Sequence, residues 1–321
     1  MSFLIREFSG TPEDFAAVVE IDNRCDPEHR YSVDEFRYDY ENFDTKRYTL
    51  RYYLGEKDGK IVAYACYYHM PHRFHPQRFW VWIAVLPEFR GRGIGSALYA
   101  RILADLKGFS AEFLHTSVRE TWAESRRFLQ KRGFEEVMHT WESHLDLTSF
   151  DPKPFEKYLI RAAEKGIALT TLAEEREQDP QWLSKLHELH NVLMADVPSS
   201  SPFTPLPLEE FRRRLIEHPD LLLDGYFLAK KGGEYVGESF VFQLPAEPGH
   251  LSQGFTGVRR EYRGKGIAMA LKLKVIAYAK AHGYNLIKTW NASTNTPMLV
   301  INEKLGFVKK PAWIEYVLSL P

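Results

Sequence analysis

Two glycine-rich turns hold the residues whose types and spacing point most clearly to chemistry. Each turn combines basic side chains with glycines, after a β-branched, strand-like segment and before a helical one. The residues are Arg90, Gly91, Arg92, Gly93, Ile94 and Gly95 in the first turn, and Arg263, Gly264, Lys265, Gly266, Ile267 and Ala268 in the second. Free backbone amides at a helix N-terminus, close to Arg and Lys side chains, bind phosphate groups. The pattern therefore predicts two phosphate-binding turns.

The glycine spacing argues against two common phosphate ligands. A P-loop for nucleoside triphosphates needs Gly-Lys followed by Ser or Thr, whereas Lys265 is followed by Gly266. The dinucleotide pattern GxGxxG is also absent, because Gly95 comes one position too early after Gly93. A tight turn without any ligand would leave the duplication and the basic residues unexplained.

The second turn repeats the first at an offset of 173 residues. The register holds without a gap over about fifty residues, so that Val85 aligns with Val258. Self-similarity at a fixed offset indicates a duplicated structural unit. We therefore expect two domains, residues 1–150 and residues 151–321, with the boundary in a proline-interrupted segment that follows a strand.

The elements that must position the turns have the same order in both halves. A strand rich in β-branched and aromatic residues runs into the turn, and a helix, a second strand and a closing helix follow. The strand before the turn covers residues 79–85 in the first half and 251–258 in the second. Alternating strands and helices predict an α/β fold (α+β type) with a crossover helix in each half.

The turns resemble motif A of the GNAT superfamily of N-acetyltransferases, whose pattern is Arg/Gln-x-x-Gly-x-Gly/Ala. Arg90-x-x-Gly93-x-Gly95 and Arg263-x-x-Gly266-x-Ala268 both match it, and Gly133-Phe134 and Gly306-Phe307 resemble the closing Gly-Phe of the family. The resemblance covers nearly the whole chain as two copies, a layout similar to that of mycothiol synthase. It implies two tandem GNAT-like domains, each with a mixed, mostly antiparallel sheet, flanking helices and a splayed central strand pair.

The resemblance also implies an activity, the transfer of an acetyl group from acetyl-CoA to a primary amine. The turn amides would bind the pyrophosphate of acetyl-CoA, and a backbone N–H near Val85 or Val258 would meet the thioester carbonyl. We expect a small-molecule amine as acceptor, because no peptide groove or basic nucleic-acid surface is evident.

The two halves differ at positions where the family places polar groups. Asn295 lies where an asparagine bonds the pantetheine arm in many members, and the first copy has Trp122 there. A helix cap is the alternative role of Asn295. The usual general-acid tyrosine is replaced by Asn302 and by Leu129. We expect Asn302 to be a catalytic residue that makes a buried polar contact near the thiol, and Leu129 to belong to the core. We therefore expect catalysis in the second domain, as in tandem members, and a scaffold or degenerate site with retained CoA affinity in the first.

The general base is the least defined part of the predicted site. The family often has a glutamate on the strand before the turn, but this sequence has Ser252 and Phe79 at those positions. Glu238, on the neighbouring strand, is the nearest acid that can act directly or through a water. The alternative is that Glu238 is an exposed strand residue.

Composition restricts the partners. Forty-two Lys and Arg residues against 43 Asp and Glu residues give a formal net charge of −1, so we expect neither nucleic acid nor an anionic membrane as partner. The longest apolar run, residues 79–86, is far too short to span a bilayer. Without a signal-peptide pattern at the N-terminus, we expect a cytoplasmic monomer or homodimer. Cys25 and Cys66 lack metal-ligand spacing, so no metal is expected, and a disulfide stays open.

Two other functions remain open on the sequence alone. The missing glutamate and tyrosine favour a CoA-binding sensor or interaction module without turnover. A similar duplicated fold could also transfer another acyl group from a different donor.

Overall fold

A computed structural model describes residues 3–321 of the chain. Within these residues the backbone forms thirteen strands and ten α-helices. The strands are β1 (Phe3–Glu7), β2 (Leu50–Lys57), β3 (Lys60–Tyr68), β4 (Arg78–Val85), β5 (Phe113–Arg119), β6 (Glu135–Asp146), β7 (Ala168–Thr171), β8 (Phe227–Lys231), β9 (Glu234–Gln243), β10 (His250–Val258), β11 (Leu286–Ala292), β12 (Val308–Lys309) and β13 (Trp313–Ser319). The helices are α1 (Pro12–Cys25), α2 (Val33–Glu41), α3 (Ile94–Leu106), α4 (Ala123–Gln130), α5 (Glu156–Glu164), α6 (Leu172–Gln178), α7 (Trp182–Met194), α8 (Leu208–Phe211), α9 (Ile267–Ala281) and α10 (Thr296–Lys304).

The chain divides into two compact units. The first unit comprises Met1–Met138 and Trp313–Pro321, and the second comprises His139–Ala312. The sequence predicted a boundary after residue 150, and the observed units differ from that prediction in the placement of two strands. The C-terminal strand β13 completes the first unit by pairing with β5, and β6 completes the second by pairing with β11. Sequence patterns indicate where a strand lies but not which strand it pairs with, so they do not reveal this exchange.

In the first unit the strand order is β1-β2-β3-β4-β5-β13. Neighbours are antiparallel except for β4 and β5, which are parallel. These two pair only over Arg78–Trp80 and Phe113–His115 and then diverge. The gap between them opens toward the turn that begins α3, which is the splayed pair expected for the family.

In the second unit the strand order is β7-β8-β9-β10-β11-β6, and the short β12 also pairs with β6. The parallel pair β10 and β11 diverges in the same way after Ser252 and Lys288. The pairing of β9 with β10 has a register shift between Gln253 and Phe255. The equivalent pairing of β3 with β4 in the first unit has none. A Cβ on the intervening Gly254 would lie 2.2 Å from the ring of Phe240, so this bulge requires glycine.

The core of the second unit has two layers, one on each face of its sheet. Alternate residues of β8 belong to different layers, because successive strand side chains point to opposite faces. Phe227 and Ala229 pack with α9, whereas Leu228 packs with α7. The apolar cluster of the first unit likewise joins α1 and α3 to the central strands. The mixed α/β fold expected from the sequence is therefore confirmed.

Among residues 3–321, no helix is both long and apolar enough to cross a bilayer. No group of three or more His, Cys, Asp or Glu side chains in this range is arranged to hold a metal ion. Cys25 and Cys66 are both free thiols.

Candidate active site

The two glycine turns have the same backbone conformation. The φ angles are 71° at Gly91 and 72° at Gly264, and 82° at both Gly93 and Gly266. Glycine reaches this left-handed region without steric cost, and the helices α3 and α9 begin directly after it. The amides of each turn therefore lie at a helix N-terminus, as the sequence predicted.

An arginine fastens each turn to the strand before it. Nε of Arg90 donates to the carbonyl oxygen of Val85 at 3.0 Å, and Nε of Arg263 donates to that of Val258 at 2.9 Å. The same local sequence thus produces the same local structure twice. The differences between the sites come from residues that are distant in sequence.

A cavity of about 740 Å³ lies in the first unit where β4 and β5 diverge. Residues of the predicted phosphate turn line it: Val85, Arg90, Gly91, Gly93, Ile94 and Gly95. Arg92 is not among the lining residues, and its guanidinium lies over the ring of Phe89. A Cβ placed on Gly91 or Gly93 would have no atom within 4 Å. The first turn is therefore open.

The corresponding cavity of the second unit measures about 540 Å³. The predicted residues that line it are Val258, Arg263, Gly264, Gly266, Ile267, Ala268 and Asn295. Lys265 lies outside the lining, and its Nζ donates to the carbonyl oxygen of Glu261 at 2.9 Å. Val197 and Pro198, from the loop after α7, form part of the wall.

Two side chains crowd the second turn. Asp196 accepts hydrogen bonds from Arg263 and from Nε of Arg260, the latter at 3.0 Å. The hydrogen bond from Arg260, followed by that from Arg263, lowers the pKa of Asp196, so the carboxylate is charged. The ring of Tyr158 on α5 would lie 3.0 Å from a Cβ on Gly266. The second turn is thus partly covered, and its arginine is paired with a carboxylate.

The two asparagines of the second copy have different surroundings. Asn295 lines the cavity and also caps α10, since its Oδ1 accepts from the backbone N–H of Met298 at 3.4 Å. Asn302 is buried on α10, and its Nδ2 donates to Oδ1 of Asn291 at 2.7 Å. Its own Oδ1 has no hydrogen-bond partner among residues 3–321. The structure therefore supplies one buried acceptor without a partner in this region.

Glu238 is fully buried, so it is not an exposed strand residue. One carboxylate oxygen lies 2.8 Å from Nδ1 of His190 on α7, and the other accepts from the hydroxyl of Tyr226. Because a carboxylate only accepts hydrogen bonds, Nδ1 of His190 is the donor in this contact, and Nε2 takes no part in it. Burial and the adjacent carboxylate raise the pKa of Tyr226 well above its usual value, which keeps its hydroxyl protonated.

His190 is the polar residue of this cluster that sequence reasoning missed. Its ring lies beside Phe255, with 5.9 Å between the ring centroids, and Leu193 follows one turn later on α7. Phe255 and Leu193 both line the cavity. The imidazole has 15% of its side chain exposed, whereas Glu238 has none. No sequence pattern joins residues 48 positions apart, so only the folded chain reveals the pair.

A second buried polar group lies on α9. Lys272 is 1% exposed and donates from Nζ to Oε1 of Gln253 at 3.2 Å. Burial lowers the pKa of Lys272 to about 7. The amide of Gln253 also donates to the carbonyl oxygens of Phe240 on β9 and Phe255 on β10, which pair with each other directly after the bulge. Gln253 therefore fixes the bulge.

A duplicated glycine turn at a helix N-terminus, next to a splayed strand pair, is the arrangement expected of a tandem acyltransferase. The sequence matches the acetyltransferase (GNAT) family twice, at residues 15–134 and 186–307, and the chain belongs to this family. The protein is accordingly an acyltransferase enzyme.

Curated relatives include proteins named mycothiol acetyltransferase. That of Thermobispora bispora is 28% identical over 236 residues, which cover 71% of this chain and 72% of the relative. That of Acidothermus cellulolyticus is 26% identical over 245 residues, covering 70% and 67% respectively.

Among solved structures, similar folds cover both units. A tandem GNAT protein from the clavulanic acid biosynthesis pathway superposes with a TM-score of 0.76 at 18% identity, over 99% of this chain and 98% of that one. A GCN5-related N-acetyltransferase from Sphaerobacter thermophilus gives a TM-score of 0.73 at 20% identity, over 99% and 95%. These matches show the fold, and the tandem arrangement expected from the sequence is confirmed.

Proposed function

We propose that the protein is an acetyl-CoA-dependent N-acetyltransferase acting on the primary amine of a small molecule, and that the second unit performs the transfer. The observation that carries this proposal is the His190–Glu238 pair beside the cavity that starts at the second glycine turn. His190 does not itself line the cavity, but its neighbours Phe255 and Leu193 do, which supports a proton acceptor next to the space that begins at the glycine turn.

The residues of the second cavity fit a CoA ester. The amides of Gly264–Ala268, at the N-terminus of α9, suit its pyrophosphate. Asn295, on the cavity wall, offers an amide to the pantetheine arm while it caps α10. The bulge at Gly254 lies where β10 leaves β11, and bulges of this kind re-aim backbone groups next to active sites.

His190 would take the proton that the amine loses when it attacks the thioester carbonyl. Glu238 acts through His190, so it is a positioning residue that fixes the tautomer and orients the ring. Asn302 has no acidic proton to donate. Its unpartnered Oδ1 can instead accept a hydrogen bond from the thiol of the departing CoA.

The names of the relatives indicate which acceptor to try first. Because the curated relatives are named mycothiol acetyltransferase, the desacetyl form of mycothiol is the first amine for an assay. The cavity wall formed by Val197 and Pro198 belongs to a loop that is well placed to contact an acceptor.

The test compares the two turns. Gly266→Glu and Gly93→Glu each place a carboxylate where a pyrophosphate would bind, and thiol release from acetyl-CoA is followed with desacetyl-mycothiol and a panel of small amines. We expect Gly266→Glu to abolish turnover of the acceptor used by the second unit and Gly93→Glu to retain it. Loss of that turnover in the Gly93→Glu protein alone would contradict the choice of unit.

A matched calorimetric titration separates transfer from binding alone. Tight acetyl-CoA binding without thiol release, for every amine in the panel, would favour the alternative of a CoA sensor. Competition by long-chain acyl-CoA at equal or higher affinity would indicate a different acyl donor.

A further inference from the structure

The first cavity holds a carboxyl group that the proposed function does not use. Asp22, on the last turns of α1, lines the same cavity as the turn Arg90–Gly95. Val85, which ends the strand before that turn, also lines it. One continuous space in the first unit therefore joins a phosphate-binding turn to an acidic side chain.

Asp22 is held in a defined orientation. The hydroxyl of Tyr64 on β3 donates to its Oδ1. Burial raises the pKa of Asp22, while hydrogen bonds from Tyr64 and Tyr31 act in the opposite direction. A half-buried carboxyl on a cavity wall, fixed by a tyrosine, has the properties of a proton acceptor.

Both units have a hydrogen bond between a strand residue and a helix side chain at the same point of the fold. Val85 pairs with Ala63, and Val258 pairs with Gly237. Tyr64 and Glu238 are the residues that follow on β3 and β9, so they occupy equivalent strand positions.

In each unit that strand residue bonds to a side chain of the helix that packs on it. Tyr64 bonds to Asp22 on α1, and Glu238 bonds to His190 on α7. The duplication has kept the contact but changed its chemistry. Each helix presents a group that can take a proton, a carboxylate in one unit and an imidazole in the other.

The walls of the first cavity indicate the class of acceptor. Trp82, Trp122, Phe128 and Leu129 line it, and the rings of Trp82 and Trp122 lie edge to face with centroids 6.4 Å apart. Trp122 and Leu129 stand where the second unit has two asparagines. These four side chains form an apolar patch in a lining that also contains polar residues such as Thr116 and Ser117. The patch favours a molecule with an apolar or aromatic body, and the carboxylate of Asp22 attracts its ammonium group.

We propose that the first unit is a second acyl-transfer site, which acetylates a small primary amine with an apolar or aromatic body and uses Asp22 as the proton acceptor. The amine nitrogen attacks the thioester carbonyl of acetyl-CoA, so that a C–N bond forms, the C–S bond breaks and CoA leaves as thiolate. The proton from nitrogen passes to Asp22 and then through solvent to the thiolate. The inference shares its acetyl donor with the proposed function but involves the other unit.

The experiment isolates the first unit with Gly266→Glu. Turnover is measured with acetyl-CoA and 2-phenylethylamine or tyramine, with glucosamine as the polar comparison, and calorimetry gives the number of acetyl-CoA sites. Asp22→Asn, added to this protein, keeps an acceptor oxygen for Tyr64 but removes the base. Glu20→Gln, an exposed carboxylate on the same helix, is the matched control.

We expect the Gly266→Glu protein to bind one acetyl-CoA and to prefer the aromatic amines. Asp22→Asn should lower kcat about 100-fold with little change in acetyl-CoA affinity, the range of a general base, while Glu20→Gln should leave kcat unchanged. The proposal is overturned if the Gly266→Glu protein is no faster than the Gly93→Glu, Gly266→Glu double variant. It is also overturned if Asp22→Asn and Glu20→Gln have equal effects.

The outcome is distinguishable from that of the proposed function. Activity of the Gly266→Glu protein with an inactive Gly93→Glu protein would support this site and contradict the assignment of transfer to the second unit. If circular dichroism shows that Gly266→Glu does not fold, His190→Gln replaces it as the variant that slows transfer in the second unit. The same turnover criteria then apply, and the number of acetyl-CoA sites is no longer a criterion because His190→Gln leaves both turns intact.

Discussion

The turn of the first unit and the turn of the second share a backbone but have different neighbours. The first is open, and its Arg90 lies 4.0 Å from the exposed Glu124. The second is partly covered by Tyr158, and its Arg263 is paired with Asp196. Beyond the turns, Trp122 lines the first cavity, whereas Asn295 stands at the equivalent position of the second.

This difference shows how a duplicated fold can specialise its copies. The turn is specified by local sequence, so it survives duplication unchanged. The groups around it come from distant helices and loops and can diverge independently. The first unit has the more accessible glycine turn, and the second has the hydrogen-bonded His–Glu pair and the bulged strand. Substitutions at these neighbours therefore test the comparison better than changes in the turns.

The largest expected effect is at His190. In a Gly93→Glu protein, His190→Gln should lower kcat about 100-fold and leave the acetyl-CoA affinity unchanged, because it removes a general base but no CoA contact. Glu238→Gln should lower kcat less and shift the pH profile of kcat, since it alters the imidazole only indirectly. Glu188→Gln, an exposed carboxylate on the same helix, is the control. Equal kcat values for His190→Gln and Glu188→Gln would show that His190 is not the base of the second unit.

A smaller effect, on stability, is expected at Lys272, where the first unit has Tyr99. The pKa of Lys272 is about 7 in the folded protein, below its usual value, so the unfolded chain binds more protons between about pH 7 and pH 10. Stability should therefore rise with pH across this window, by a few kcal/mol at most. Lys272→Met should raise the Tm at pH 7 and flatten the rise, as measured by scanning calorimetry from pH 6 to pH 10. An unchanged pH dependence in the variant would show that Lys272 is not its source.

The smallest effect is expected at the covered turn. Asp196→Asn frees two arginines and removes a negative charge from the cavity wall, so it should tighten acetyl-CoA binding to the second unit by about threefold to tenfold. Calorimetry in a Gly93→Glu protein at low and high salt measures this, and the gain should shrink with salt. Glu261→Gln, on the same turn, makes the same charge change without breaking an arginine pair. Weaker binding in Asp196→Asn would mean that Asp196 orders the turn.

Much of the fold was predictable because its signals are local. A strand that ends at a glycine turn before a helix is encoded within about twenty residues. The same pattern recurs at a fixed offset, which indicates the same structural unit a second time. The orientation of α7 is not such a local signal, and therefore neither is the contact between His190 and Glu238. The roles of Asn295, Asn302 and the turn residues stay predictions.

The sequence by itself determined the duplication, the two glycine turns and the membership of an acyltransferase fold, since each depends on residues that are neighbours along the chain. Only the tertiary structure decided that β13 completes the first unit and β6 the second, that Glu238 is buried against His190, and that Asp196 pairs with Arg263. The physical reason is the same in each case. Strand partners, burial and ion pairs depend on which distant segments pack together. The two glycine turns have the same backbone, and the difference in their exposure and pairing comes from such neighbours.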